Sequence, residues 1–185
     1  GERTSLVHAV HVDAGEARLL GRLQITVVTC PRVNDRLGMG APSLELLADA
    51  RVPLALGTES LAAAPDADIL AEAAAWVQLA RQQGLLLWPT GSGPVALEEA
   101  AVRLATSDGA RALGWGGRCG VLDPSRRADL VGIAVDTTAE NVYRDLVAVG
   151  AGRQVLTVLG GVRRARRDSA DQGWPEVDDD NWRTM

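Results

Sequence analysis

Three short stretches of this chain hold side chains that could move protons or bind metal. His8 and His11 lie in LVHAVHVD, Thr29 and Cys30 close an apolar run just before Pro31, and Glu59 with Ser60 follows Val52 to Leu56. Imidazoles titrate near neutral pH, so they exchange protons or ligate metals more readily than other side chains. The spacing of His8 and His11 would stack both rings on one face of a helix. The segment reads as a strand, where positions three apart face opposite sides, so a two-histidine metal clip is not expected. His8 sits among Val7 and Val10 and reads either as a hydrogen-bonded core residue or as a catalytic one. A glutamate at the end of a buried strand must be paired, coordinated or protonated, unless it projects past the strand into solvent. Nothing near Cys30 would depress its pKa, so it reads as a packed thiol rather than a nucleophile.

Elements of two periods position these residues. Ser5 to Val10, Ile25 to Val28 and Val52 to Leu56 are short, β-branched apolar runs with the texture of buried strands. Between them, Asp13 with Glu16 three positions on is a capping box opening a helix through Leu19, Leu20 and Leu23. Leu44, Leu46, Leu47 and Ala50 mark a second helix, and the segment between Arg32 and Met39 reads as a polar connection. Strands alternating with helices predict parallel βα units, whose functional side chains gather at the C-terminal strand ends. Beyond Pro65 the pattern predicts a long alanine-rich helix from Ile69 to Arg81, a loop over residues 85–94, and helices from Val95 to Ala105 and from Asp108 to Leu113. Ala128 to Val135 and Val155 to Val162 read as strands, joined by a helical or irregular link from Ala139 to Val149. The run Arg163 to Arg167 and the acidic Val177 to Asp180 read as a solvated tail.

Composition narrows the function classes. The 185 residues carry 19 basic against 24 acidic side chains, a net charge of −5, which disfavours a nucleic-acid binder. No apolar run is long enough to span a bilayer. Every basic side chain is arginine, so lysine Schiff-base and Walker-type chemistry are excluded. Cys30 and Cys119 are far apart without metal-site spacing and are expected to be reduced thiols in a cytoplasmic protein. With no Phe and five Trp, the core must be aliphatic with a few indoles. Opening on Gly1 and an apolar strand, the chain is expected to be part of a longer polypeptide.

The strings LVHAVHVD, VVTCPRVNDRLGMGAPSLELL, VPLALGTESLAAAPD and ATSDGARALGWGGRCGVLDPSRRADLVGIAVD occur in that order. Together they resemble the amidohydrolase superfamily, in its metal-dependent deaminase and chlorohydrolase branch. Members read HCVHLD or HGVWLD at barrel strand six, HNPxSNxKLGxGxxP at strand seven and LGTDGxxSNxxxD at strand eight. The CPRxN variant at strand seven is similar to the aminofutalosine deaminase-like and imidazolonepropionase-like subgroups. The resemblance implies an α/β fold comprising the last three βα units of a TIM-type barrel over residues 1–115. Strands of a small flanking β-domain over 116–165 and a tail over 166–185 would complete it.

By the same resemblance, His8 stands at the strand-six histidine that contacts substrate and the attacking water. Glu59 stands at the metal-binding aspartate, and Asn34 and Ser60 would contact substrate. The family binds one divalent metal, zinc or iron, through an HxH pair on strand one, a histidine on strand five and the strand-eight aspartate. This chain has two histidines and no HxH, so no catalytic metal is expected in it alone. Thr29 and Cys30 replace the usual His-Asn, and the asparagine after strand eight is lost at Ala62 to Ala64.

Two functions follow. One is the C-terminal part of a hydrolase acting on carbon–nitrogen bonds other than peptide bonds, deaminating a cyclic amidine or aminopurine-like small molecule. Its missing strands would come from an N-terminal half or a second chain. The other is a non-catalytic remnant serving as a binding or oligomerisation element. Both predict an oligomer, without nucleic-acid or membrane partners, because a partial barrel leaves strand edges open. Val27 and Leu54 are expected among the uncovered inward-facing side chains.

Overall fold

Local signals set the helix starts. Asp13 caps the first helix through the N–H groups of Gly15 and Glu16, while the Glu16 carboxylate accepts from the Asp13 N–H. Ser43 and Asp68 cap two later helices in the same manner. The computed structural model describes residues 4–173. In chain order the elements are β1 (Ser5–Val7), α1 (Ala14–Leu23), β2 (Thr26–Thr29), α2 (Pro31–Arg36), α3 (Leu44–Asp49), β3 (Leu54–Leu56) and α4 (Ile69–Gln82). Then come β4 (Leu87–Trp88), β5 (Val95–Ala96), α5 (Leu97–Ala105), α6 (Ser107–Ala112), β6 (Leu130–Ile133), α7 (Val142–Val149), β7 (Gln154–Leu159) and β8 (Val162–Arg166).

The first three strands form a parallel sheet in the order β1-β2-β3, with Val7 opposite Val28 and Val28 opposite Ala55. This is the α/β arrangement that the alternating pattern predicts. Leu6, Val27 and Leu54 form one cross-strand row. Val27 and Leu54 are buried beneath the helices, in one cluster with Leu20, Leu47, Trp76 and Leu104. The expectation that they would be uncovered is therefore wrong by one position. Side chains alternate along a strand, so the open face belongs to the other parity. It carries Ser5 and Val7, both exposed, and the half-buried Thr26 and Val28.

Trp76 on α4 is fully buried and meets the Trp88 ring edge-on, centroids 5.0 Å apart. Gly21 on α1 faces the end of α3, where an added Cβ would lie 2.0 Å from the Ala50 carbonyl oxygen. Only glycine allows that approach.

The second sheet is antiparallel, in the order β6-β7-β8, with register irregularities at Gly132/Ile133 and Thr157/Val158. α7 packs back onto α4 and α5, burying Val147 in the main cluster, and Asp68 accepts from the Gly152 N–H at 2.6 Å. Three sequence expectations are corrected here. Residues 85–94 are not purely loop, because β4 and β5 pair as a short hairpin. Pro31 to Arg36 is a helix rather than a polar connection; Pro31 at its start has no N–H to leave unpaired. Arg163 to Arg166 belong to β8 and pair with β7 instead of forming a tail. Val177 to Asp180 lie outside the described residues. Among the described residues, no helix is long and apolar enough to cross a membrane.

Candidate active site

The β1-β2-β3 ladder runs just past the strand ends and fixes the first residues beyond them. The His8 N–H donates to the Val28 carbonyl at 2.9 Å, and the Gly57 N–H donates to the Thr29 carbonyl at 3.0 Å. Gly57 fits against β2 because it has no side chain; a Cβ there would lie 2.8 Å from Val28 Cγ1. The backbone then turns left-handed, with φ of 71° at His8, 49° at Ala9 and 59° at Glu59. A non-glycine residue in that region costs on the order of 1–3 kcal/mol and persists only where surrounding contacts enforce it.

These turns bring the two candidate side chains together across β2. His8 Nε2 lies 4.0 Å from Glu59 Oε1, with the imidazole 21% and the carboxylate 40% exposed. The strand order predicts a separation within about 10 Å, two strand spacings, and the observed pair is well inside it. On its other side the His8 ring meets Asn34, Nδ1 to Oδ1 at 2.7 Å. Asn34 is buried on α2, and its Nδ2 has no partner among the described residues. Ser60 is exposed beside Glu59, and its carbonyl accepts from Ala63 and Ala64, shaping the loop after β3.

Sequence reasoning missed the support of α2. Cys30, at the N-terminus of this helix, offers no side-chain cap. Glu72 of α4 supplies one from a distance: its Oε2 accepts from the Arg32 N–H at 3.1 Å. The Arg32 guanidinium forks onto Asp66 at 3.0 and 2.7 Å and lies 3.8 Å from Glu72 Oε1. Asp66 belongs to the loop that follows Glu59, so one arginine ties this loop to α2 and α4. Glu72 is one helical turn from Trp76 and two from Ala80, on the face the core buries. A carboxylate on that row of an otherwise apolar helix face was the available signal.

Burial raises the Glu72 carboxyl above its ordinary value, against the lowering effects of the Arg32 N–H and guanidinium. A carboxyl raised in the folded state contributes stability below its unfolded pKa. That contribution is lost as pH rises through the folded value. Glu72→Gln should therefore come close to the parent in acid, where both side chains are neutral and nearly equal in shape. The variant should then gain relative to the parent as pH rises from about 4.5 towards neutrality. Denaturant melts across this range provide the check, and a gap that narrows with rising pH would refute the assignment.

The remaining candidates separate from the site. Burial, with the charges of Glu72 and Glu59, pushes the Cys30 thiol up to about 11, so it stays protonated at neutral pH. Thr29 is buried and its hydroxyl donates to the Ala55 carbonyl at 3.4 Å. β1 ends at Val7, so His11 lies in an exposed turn before α1 rather than on the strand. Cys30 and Cys119 are both free. The arginines of β8 are on the other sheet.

Glu59 Oε1 and His8 Nε2 are suitable oxygen and nitrogen donors at one strand end. Among the described residues, no group of three or more His, Cys, Asp or Glu side chains gathers to hold a metal. A catalytic zinc site takes three protein ligands and a water. The residues present thus fit part of a metal site, with Glu59 as one ligand and His8 beside it.

Comparison with known proteins points in one direction. The profile of the amidohydrolase family matches residues 1–162. The 5-methylthioadenosine/S-adenosylhomocysteine deaminase of Halobacterium salinarum is 34% identical over 131 residues, covering 71% of this chain and 28% of the relative. The enzyme of that name from Moorella thermoacetica is 34% identical over 159 residues, covering 82% and 35%. This chain thus spans about a third of the length of these curated relatives. Among solved structures, an adenosine deaminase from Xanthomonas campestris with bound zinc superposes at TM-score 0.73 and 28% identity, over 94% of this chain and 39% of that one. E. coli guanine deaminase shares the fold at TM-score 0.78 and 21% identity, over 91% and 40%.

Proposed function

Because this chain belongs to the amidohydrolase family, we propose that it forms the last three βα units of a metal-dependent deaminase barrel. Residues to about 115 would complete the barrel, and those to about 165 would build part of a flanking β-domain. The observation that carries this reading is the meeting of His8 and Glu59, 4.0 Å apart beyond the C-terminal ends of β1 and β3, across the parallel strand β2. The substrate class is a small cyclic amidine or aminopurine-like ring, in keeping with relatives named as methylthioadenosine/adenosylhomocysteine and isoxanthopterin deaminases.

Glu59 would hold one divalent cation, zinc or iron, with ligands this chain does not provide. Such a cation supplies a nucleophile at neutral pH by lowering the pKa of water towards about 7. The chain's own residues do the rest. His8 orients the attacking water from the substrate side. Water oxygen bonds to the ring carbon, the bond from that carbon to its exocyclic nitrogen breaks, and Glu59 carries the proton across to departing ammonia. Ser60, exposed beside Glu59, is placed to contact the ring. A cytoplasmic setting with both thiols reduced goes with this chemistry.

The test is to purify the chain alone and together with a polypeptide bearing the five earlier βα units of the Moorella thermoacetica relative. Metal content after dialysis and ammonia release from S-adenosylhomocysteine, adenosine and guanine are then measured. Well under one equivalent of metal is expected in the chain alone, with stoichiometric zinc or iron and ammonia release in the pair. Stoichiometric metal in the chain alone, or a metal-loaded pair inert towards all three rings, would overturn the proposal.

Among the described residues the outer strands β1 and β3 each pair on one side only, and the exposed β1 presents unpaired backbone groups beside Leu6 and Val7. The chain alone is expected to associate. Light scattering should show oligomers that dissolve into a single complex when the complementary strands are supplied. A clean monomer with a cooperative melt would count against a partial barrel.

A further inference from the structure

We propose that Asn34 is a positioning residue that sets the tautomer of His8, making Nε2 the proton-accepting nitrogen that faces Glu59. The inference rests on the deaminase reading only for its consequence. Its evidence is separate. A neutral imidazole carries one proton on one of two nitrogens, and the hydrogen bond at the first decides what the second can do. Nδ1 of His8 lies 2.7 Å from Asn34 Oδ1, well within hydrogen-bond range, whereas Nε2 is 4.0 Å from Glu59, outside it. The Asn34 contact is therefore the one that chooses. An acceptor oxygen at Nδ1 requires the proton there, which leaves the Nε2 lone pair open.

The surroundings give this contact the rigidity that a positioning role needs. Asn34 is only 2% exposed, so water cannot compete for its oxygen. It rides on α2, whose first turn is fixed by Glu72 through the Arg32 N–H and by the Arg32–Asp66 fork. The His8 backbone is held in turn by the Val28 carbonyl. Both ends of the 2.7 Å contact are thus tied down independently, and the ring cannot rotate without breaking it.

The consequence is a choice between two chemistries. With Nε2 unprotonated, His8 accepts a hydrogen bond from the attacking water or from a substrate N–H. It does not act as a donor that polarises a ring nitrogen or carbonyl. Substrates that present only acceptors towards His8 are therefore disfavoured.

The test uses the full chain labelled with 15N-histidine, held above the pH at which imidazole titrates. His11→Gln assigns the two rings, and solid-state spectra serve if the chain associates. His8 should show a protonated Nδ1 and a pyridine-type Nε2. Asn34→Asp keeps an acceptor at the same place and should preserve this pattern. Asn34→Leu removes the acceptor and should move His8 to the Nε2–H form that free imidazole side chains favour. In the reconstituted barrel, Asn34→Leu should lower kcat about a hundredfold, the lower end of a positioned base's contribution, with KM little changed and Asn34→Asp restoring most of the loss.

A pyridine-type Nδ1 in the parent chain would mean that the Asn34 amide is the donor, and would overturn the proposal. So would a His8 tautomer indifferent to Asn34→Leu. If Asn34→Leu does not fold, the parent and Asn34→Asp spectra still decide, because a donating amide would not survive replacement by a carboxylate. The spectra need no metal and no turnover. The expected tautomer without deamination would sink the functional reading alone, and deamination with the wrong tautomer would sink this one alone.

Discussion

Glu59→Ala, made in the chain and assayed in the reconstituted barrel, is expected to lose retained metal and to cut ammonia release by about ten-thousandfold, the upper end of what a positioned acid–base group contributes. Among the described residues Glu59 is the carboxylate paired with His8 at the strand ends, and the proposed chemistry gives it two tasks. Glu59→Gln separates them: the amide keeps the length of the arm but is a poor ligand and no base, so it should resemble alanine. Glu59→Asp is the more informative variant. It shortens the arm by about 1.5 Å, one C–C bond, and displacements near 1 Å can change rates about a hundredfold. It also places aspartate, which tolerates the left-handed region better than glutamate, at a backbone φ of 59°. Metal content and kcat measured together check all three substitutions. Full metal retention in Glu59→Ala would remove Glu59 from the site.

The largest stability effect is expected at Trp76. Its side chain is fully buried, touches Trp88 edge-on at 5.0 Å, and sits on α4 where the helices cover β3. Trp76→Ala should cost about 3–5 kcal/mol, the range for deleting a buried aromatic, through lost transfer energy and the cavity left behind. That is a large share of the ~5–15 kcal/mol by which ordinary domains are stable. Trp76→Phe should cost much less. Trp76 Nε1 has no hydrogen-bond partner among the described residues, so phenylalanine removes a buried polar group while keeping most of the ring. Chemical denaturation of the chain with its complementary strands would measure both. Equal losses in the two variants would refute the expectation that ring burial dominates at this position.

The legible parts of this molecule were those whose signals are local and repeated. Three apolar runs separated by helices give the parallel sheet, and because the strands are parallel, His8 and Glu59, each just past a strand's C-terminal end, come to its same end. Parity was misread because a run such as Thr26-Val27-Val28-Thr29 is apolar on both faces at its centre, so pattern alone does not say which valine meets the helices. α2 escaped notice because six residues with a single apolar side chain at Val33 have no period to detect. The contact of Asn34 with His8 joins residues 26 positions apart, and the cap that Glu72 gives α2 spans 40. No spacing rule encodes either. A carboxylate on the buried row of α4 was the one mark of the second, visible once the helix phase is known.

The left-handed turns at His8, Ala9 and Glu59 bear on whether this is a decayed copy. Seven non-glycine residues among those described have positive φ, and Gln24 and Arg51 simply follow helix ends. Three of the other five cluster at the His8–Glu59 pair. Glycine would relieve each of these three positions, as would asparagine at smaller gain. Here the strained residues stand at the very positions where an imidazole and a carboxylate meet. Strain of this kind persists only where surrounding contacts over-determine it and tends to cluster at active sites, so its placement here supports the catalytic reading proposed above over that of a remnant.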